Sequence, residues 1–417
     1  MSNKQIASWH EHYDQASQKL IFAKLNKVIA FNAKGEISPA NIKFDSYISV
    51  LNGMIVLSEH ISDRIKEDII FNTAISLFKK GKLNHQFFIE AVDYCFKSYL
   101  RKGLKEYYFV TSISFDKKSP IKSTVINGCD LRFIKELPKK LLSQRKIILD
   151  YALSSIKYPD NYLYVKAKTC GRSIHEAAES ALRSINLFRC IWNFNYNRRI
   201  TFCSTDFYRP FNSLLLGPIH TLHNTDCTLA TDKYWYEPDY SRPRRAITVG
   251  NDINKFYDFK IKILKKVRDS NFKDTIEDLI IQYSDAFDLQ DPDGTFLKLW
   301  CALENLIISK REQQKDIINR ISFLENDSQF AKLILTHLRL HRNLYAHSGS
   351  SRCDSTMAIF QLKAFIEKVI LFIIENKFKL GSKSELRKFL DHPVDRCALR
   401  NRFELAKKAM RYRSRPQ

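Results

Sequence analysis

The chain has 417 residues, 44% of them hydrophobic, which is ample for two or three packed domains, and a formal net charge of +23 at pH 7. Its nine cysteines form no C-x-x-C pair, which argues against a zinc ribbon or a thioredoxin-like motif, and the densest apolar run, Val369–Ile374, is far too short to span a bilayer. The cationic excess points to a polyanionic partner: nucleic acid first, anionic membrane second, a generally basic surface otherwise.

The elements fall into four regions. Residues 1–104 read as a helical region. Ile65–Phe78 and Phe87–Leu100 carry apolar residues at three- and four-residue spacing, Asn84 is placed to cap the second helix, and Gly103 ends the pattern. Residues 105–245 read as an α+β region for regulation or target recognition. Tyr107–Phe115 and Tyr162–Lys168 are rich in aromatic and β-branched residues and alternate faces, so they are predicted strands, with Leu163, Val165 and Ala167 sharing one face. Gly171 then breaks the strand. Ser173 and Glu176 make a capping box that opens a helix from Ile174 to about Phe194. The apolar run Leu214–Ile219 is interrupted by Gly217-Pro218, and Pro238–Arg245 reads as a linker.

Residues 246–378 are predicted to form an antiparallel helical bundle, with helices near 252–268, 275–288, 292–310, 328–346 and 354–376. Asp274 with Glu277 reads as a capping box, and Asp291 before Pro292 as a helix start. Residues 379–417 form a basic, helical tail with twelve Lys/Arg against four Asp/Glu, a local net of +8. The fold class is therefore mainly α, with an α+β middle.

One segment carries chemistry. In the fourth bundle helix, Arg342 and His347 stand in an R-x4-H pattern with Asn343 after the arginine, and the helix runs into Ser348-Gly349-Ser350-Ser351. The spacing alone is weak, because Arg387 and His392 share it on a short segment ended by Pro393. The upstream helix reads Leu299-Trp300-Cys301-Ala302-Leu303-Glu304. The L-W-x-A-L-E helix, the R-N-x-x-x-H helix end, the Gly/Ser loop and the final apolar helix together resemble the HEPN superfamily, most closely its Apea-like branch, over roughly residues 251–376.

The resemblance implies a HEPN-type bundle that cleaves RNA without a metal or other cofactor. It implies a homodimer with Arg342 and His347 facing one shared cleft, and products ending in a 2′,3′-cyclic phosphate and a 5′-OH. It also implies a role in prokaryotic antiviral defence by abortive infection, with the front of the chain responding to a trigger: phage protein, nucleic acid or a small molecule. The residue types suit that chemistry. A histidine titrates in the range needed to take the 2′-OH proton, and an arginine presents a planar fork to phosphate oxygens. Unpaired, structured loops, tRNA included, are reasonable substrates, since a paired strand does not align its 2′-OH for in-line attack.

Five residues of ideal helix separate the two side chains by about 140°, so the helix is expected to end at or just before His347. Asn343 would hold the arginine or contact phosphate. Glu304 would either orient Arg342 through a salt bridge or make an ordinary one. Tyr345 is either a substrate contact or core. In the tail, Lys407, Lys408, Arg411 and Arg413 suit an RNA backbone, or form a solvated basic terminus.

Other histidines are less persuasive. His337 and His341 have a metal-ligand spacing but lack the H-E-x-x-H glutamate, and His220-x-x-His223 near Cys227 is no stronger, so no metal site is expected. The stretch Phe188–Arg199 mixes aromatics and arginines as single-strand binding surfaces do, but reads better as a packed helix end. Phosphate-binding loops and the serine-hydrolase elbow are absent. An odd cysteine count with no export signal fits a reducing cytoplasm. The alternative to a nuclease is a non-catalytic, RNA-binding or dimerising adaptor.

Overall fold

In the computed structural model the described residues are 5–29, 42–59, 61–152, 159, 161–202, 211–238, 240, 245–250, 253–309, 314–348 and 355–413, with backbone alone at 42, 314 and 346–348. In chain order, β1 (Ala7–Trp9), α1 (Gln15–Val28), α2 (Ile42–Met54), β2 (Ile55–Leu57), α3 (Asp63–Lys79) and α4 (His85–Arg101) form the N-terminal region. They bury their own core around Phe22, Leu25, Phe88, Val92 and Phe96. The β1–β2 antiparallel pair inside this region was not foreseen; each strand has three residues, too few for alternation to register. Asn84 does cap α4, accepting from the Gln86 and Phe87 amides at 3.1 Å.

The middle of the chain supplies β3 (Lys105–Asp116), β4 (Thr124–Ile126), β5 (Cys129–Ile134), α5 (Lys139–Ala152), β6 (Tyr162–Gly171), α6 (Ile174–Asn197), β7 (Ile219–Asn224) and β8 (Leu229–Tyr236). The strands form one antiparallel sheet in the order β4-β5-β6-β3-β7-β8. Leu163, Val165 and Ala167 share a buried face, as their alternation predicts. β3 is central, and Phe109 to Phe115 is buried without a break, so its polar members need partners inside. Thr111 Oγ1 bonds His220 Nδ1 at 2.6 Å, and the Ser114 hydroxyl donates to the Ser213 carbonyl. The fully buried Arg145 donates from α5 to the Val110 and Ile219 carbonyls and to Thr221 Oγ1, at 2.7–2.8 Å.

α6 begins where β6 ends. Gly171 is required there, because a Cβ would lie 2.4 Å from the Ala177 nitrogen. Ser173 accepts from the Glu176 amide, while the Glu176 carboxylate turns to the Arg172 amide and guanidinium and to the Tyr99 hydroxyl. The helix is buried on two sides. Phe188 packs on Phe133 of the sheet at 4.8 Å between ring centres, and Trp192 lies 4.8 Å from Phe115 and 4.5 Å from Phe256 of the next helix. The Phe188–Arg199 stretch is thus largely packed rather than displayed.

The rest is helical: α7 (Ile253–Arg268), α8 (Lys273–Ala286), α9 (Pro292–Ile307), α10 (Gln314–Ser322), α11 (Ser328–Ser348), α12 (Thr356–Glu375), α13 (Lys383–Leu390) and α14 (Arg396–Arg413). α9 is the hub, touching α8, α10, α11, α12 and α13. One apolar core runs from the sheet through α6 into these helices, so the boundary near 245 marks a change of element type and not a break in packing. Asp291 caps α9 as expected, with Pro292 at its first position. The Asp274–Glu277 capping box is not formed. α8 starts at Lys273 after Phe272 with no side-chain cap, because Glu277 is buried and bonds Asn127 and Arg183 instead. α10 was not foreseen. Most of the Pro238–Arg245 linker and of the Ser348–Ser351 loop lies outside the described residues. Among the described residues no helix is long and apolar enough to cross a membrane.

His223 is wholly buried and bonds Thr221 at 2.9 Å; burial first, and the Arg145 charge second, pull its pKa down to about 4. The unfolded chain binds that proton near 6.5, so the stability is intact above about pH 6.5 and is lost as pH falls towards 4, by up to about 3 kcal/mol. The melting temperature of the wild type should therefore fall more steeply between those pH values than that of His223→Gln. Parallel curves would show that His223 titrates normally.

Candidate active site

The two helices that meet here are set by their apolar faces. α9 buries Phe296, Leu299, Trp300, Leu303 and Leu306, and α11 buries Ala331, Leu335 and Leu338. Burying those stripes leaves Glu304 and Arg342 side by side at the edge of the seam. Arg342 Nη2 lies 3.8 Å from Glu304 Oε1, with the side chains 27% and 18% exposed, so the pair is partly shielded yet open to solvent on one side. Trp300, one turn before Glu304 and itself fully buried, donates its indole Nε1–H to the same carboxylate oxygen at 2.6 Å. Arg342 Nη1 also donates to Asn343 Oδ1 at 3.3 Å. The guanidinium is thus steered from two sides.

Three of the five residues singled out from the sequence, Arg342, Asn343 and Glu304, are therefore brought together. Tyr345 is half-buried on α11. His347 is the correction. The helix runs through it to Ser348 instead of ending at or before it, so its backbone stays in helical register with Arg342. The His347 side chain lies outside the described residues. Helix propagation past His347 follows from Leu344 and Ala346, which are good helix formers, with the Gly/Ser segment only beginning at Ser348. Lys407, Lys408, Arg411 and Arg413 lie exposed on α14, of which no residue is buried. Lys407 pairs with Glu404 at 3.2 Å and sits 4.2 Å from the Phe403 ring centre. The second R-x4-H pair falls on α13, only eight residues long, with His392 beyond its end.

A supporting chain was invisible in the sequence. His341 Nε2 bonds Ser355 Oγ at 2.9 Å, Ser355 bonds Asp293, and the His341 ring packs edge-on against Phe296. These contacts tie α11 to the starts of α12 and α9. Burial holds His341 below its usual pKa, so it stays neutral at physiological pH. Sequence separations of 14 and 62 residues give no local signal for them. Trp300 had a signal, its i,i+4 spacing to Glu304, whose meaning emerged only from the contact.

Competing chemistries fare worse. Desolvation, then the Glu304 carboxylate, raise the Cys301 thiol above its ordinary value, so it is a poor nucleophile near neutral pH. A hydroxyl–imidazole–carboxylate line does exist, with Thr111 bonded to His220 and His220 Nε2 3.0 Å from Glu237, but Thr111 and His220 are fully buried and no substrate reaches them. Among the described residues no group of three or more His, Cys, Asp or Glu side chains is arranged to hold a metal ion. No family model, curated protein or solved structure matches this chain.

Trp300→Phe removes the indole donor while keeping an aromatic ring. It should lower unfolding stability by about 1–3 kcal/mol in denaturant titrations, from the lost hydrogen bond and the small cavity. An unchanged midpoint would mean that the indole does not hold Glu304.

Proposed function

We propose that the chain is a metal-independent RNA endonuclease with a HEPN-type site, in which Arg342 neutralises the scissile phosphate and His347 takes the 2′-OH proton. The observation that carries this reading is the Arg342 guanidinium, partly open to solvent and oriented by Glu304, which is in turn fixed by Trp300. An ordinary surface ion pair is not anchored by a buried indole. The reaction class needs a fixed cation and a base near neutral pH, and the R-N-x-x-x-H segment offers both residue types on one helix.

The two active positions lie about 140° apart on continuous helix, which favours a site shared between two copies over one built within a single chain. α11 supports this arrangement. Phe330, Leu333, Leu340 and Leu344 are 53–69% exposed at alternating three- and four-residue spacing around His337, and position 347 follows in the same register. Such a stripe is the seam of a helix pair, and a second copy of α11 would bury it. The net charge of +23 favours RNA as the polyanion. The remaining elements of the proposal, growth-arresting defence against phage and an activating trigger, rest on the family resemblance alone. The exposed stripe also suits the second reading, an adaptor that dimerises without cleaving.

Purified wild type, Arg342→Ala and His347→Ala should separate these readings on total RNA, with and without EDTA. Loss of cleavage by at least about a hundredfold in both variants, with the wild type indifferent to EDTA, is the expected outcome. Equal behaviour of all three proteins favours the adaptor. In light-scattering measurements, Leu340→Glu with Leu344→Glu should convert a wild-type dimer into a monomer, whereas a monomeric wild type would remove the shared site.

A further inference from the structure

Five cationic side chains are buried among the described residues, and four have evident partners. Arg189 pairs with Asp285 and Asp288, Arg320 with Asp391, and Lys363 with Glu367, while Arg145 donates to two carbonyls and a threonine. Lys260 is different. It is 5% exposed, and among the described residues no carboxylate or carbonyl bonds its ammonium, which instead lies 4.9 Å from the Tyr257 ring centre and 5.6 Å from that of Phe188. Aromatic faces offset only part of the desolvation cost of a charge. A second cation shares the Tyr257 ring: Lys122 lies 5.3 Å from its centre, and the Lys122 backbone amide donates to the Tyr257 hydroxyl. Burial, and next the Lys122 charge, draw the Lys260 pKa below the usual lysine value.

This lysine lines a cleft of about 870 Å³ between the β4–β5 turn and α7. Lys122, Lys265, Arg268 and Lys273 line it as well. Its one lining carboxylate, Glu277, is already engaged by Asn127 and Arg183. The wall is built rather than incidental. Asn127 and Gly128 both take positive φ, the requirement of a tight hairpin turn, and Asn127 clips that turn to α8 through Glu277 at 2.9 Å. Ile126, Ile261 and Leu264 add apolar surface. Polar anchors on a partly apolar concavity of this volume are the form of a small-molecule site.

We propose that this cleft binds a phosphate-bearing small molecule of nucleotide size, its phosphate seated between Lys260 and Lys122. The bound phosphate supplies the counter-charge that Lys260 otherwise lacks. The site is separate from Arg342 and stands whether or not the chain cleaves RNA.

The probes are ATP, AMP and adenosine, with a 20-mer single-stranded RNA as comparison, titrated calorimetrically into the full chain. The nucleotides should bind and adenosine should not. Lys260→Met, which keeps the stem against Tyr257, should weaken nucleotide binding at least tenfold. Lys122→Gln, at an exposed position where the fold is not at risk, should weaken it several-fold with an unchanged melting temperature. Absence of nucleotide binding, or equal binding by wild type and Lys122→Gln, overturns the proposal. So does RNA binding that Lys122→Gln weakens while ATP and AMP do not bind, which would assign the cleft to an RNA backbone.

Discussion

The architecture depends on α6 being buried from two sides. A helix apolar around most of its circumference has to find two partners, and here they are the six-stranded sheet and the α7–α8 layer. Gly171 and Ala177 allow the close approach that starts the helix on the sheet. Arg189 satisfies the other side, donating from α6 to Asp285 and Asp288 at the end of α8. With α6 fixed, α8 is fixed, and α9 packs on α8. The catalytic candidates on α9 and α11 are thereby held by a chain of packing that begins in the middle of the molecule.

Site geometry follows from that packing at small cost. Glu304 and Arg342 sit on the shielded edge of the α9–α11 seam, where an ion pair is neither fully desolvated nor freely screened. A second carboxylate contact, from the buried Trp300, turns a mobile surface pair into an oriented one. Lys260 contrasts with this: among the described residues the other buried cations have polar or charged partners, and its ammonium lies against the Tyr257 and Phe188 rings.

What was legible in the sequence was what short-range periodicity and end chemistry encode. The long helices, the two long strands, the Asn84 and Asp291 caps and the Gly171 turn are all local statements. Strands of three residues carry too little alternation to register, which hides β1, β2 and β4, and the longer β5, β7 and β8 are not among the two strands read from the sequence either. The Asp274–Glu277 box failed for a tertiary reason: a carboxylate that caps locally in a peptide is worth more against Asn127 and Arg183 in the fold. The R-x-x-x-x-H motif and its glutamate were readable as residue types in order. The contact of Glu304 with Arg342, and the role of Trp300 behind it, needed the helices in place.

The basic character of the chain is also distributed with a pattern. α14 is exposed along its whole length with Lys407, Lys408, Arg411 and Arg413 near its end, and the cleft beside α7 gathers five further cations. Both gather cations, and the Arg342 site differs from them in pairing its guanidinium with a carboxylate that a buried indole holds. In the proposed reaction the RNA's own 2′-OH is the nucleophile at Arg342. The most direct measurement uses an RNA carrying a single 2′-deoxy substitution at a mapped cleavage position, with product ends read by mass spectrometry. Cleavage abolished at that position alone, and 2′,3′-cyclic phosphate ends on the unsubstituted RNA, are what the account predicts. Undiminished cutting of the substituted RNA, or products with 5′-phosphate ends, would contradict it.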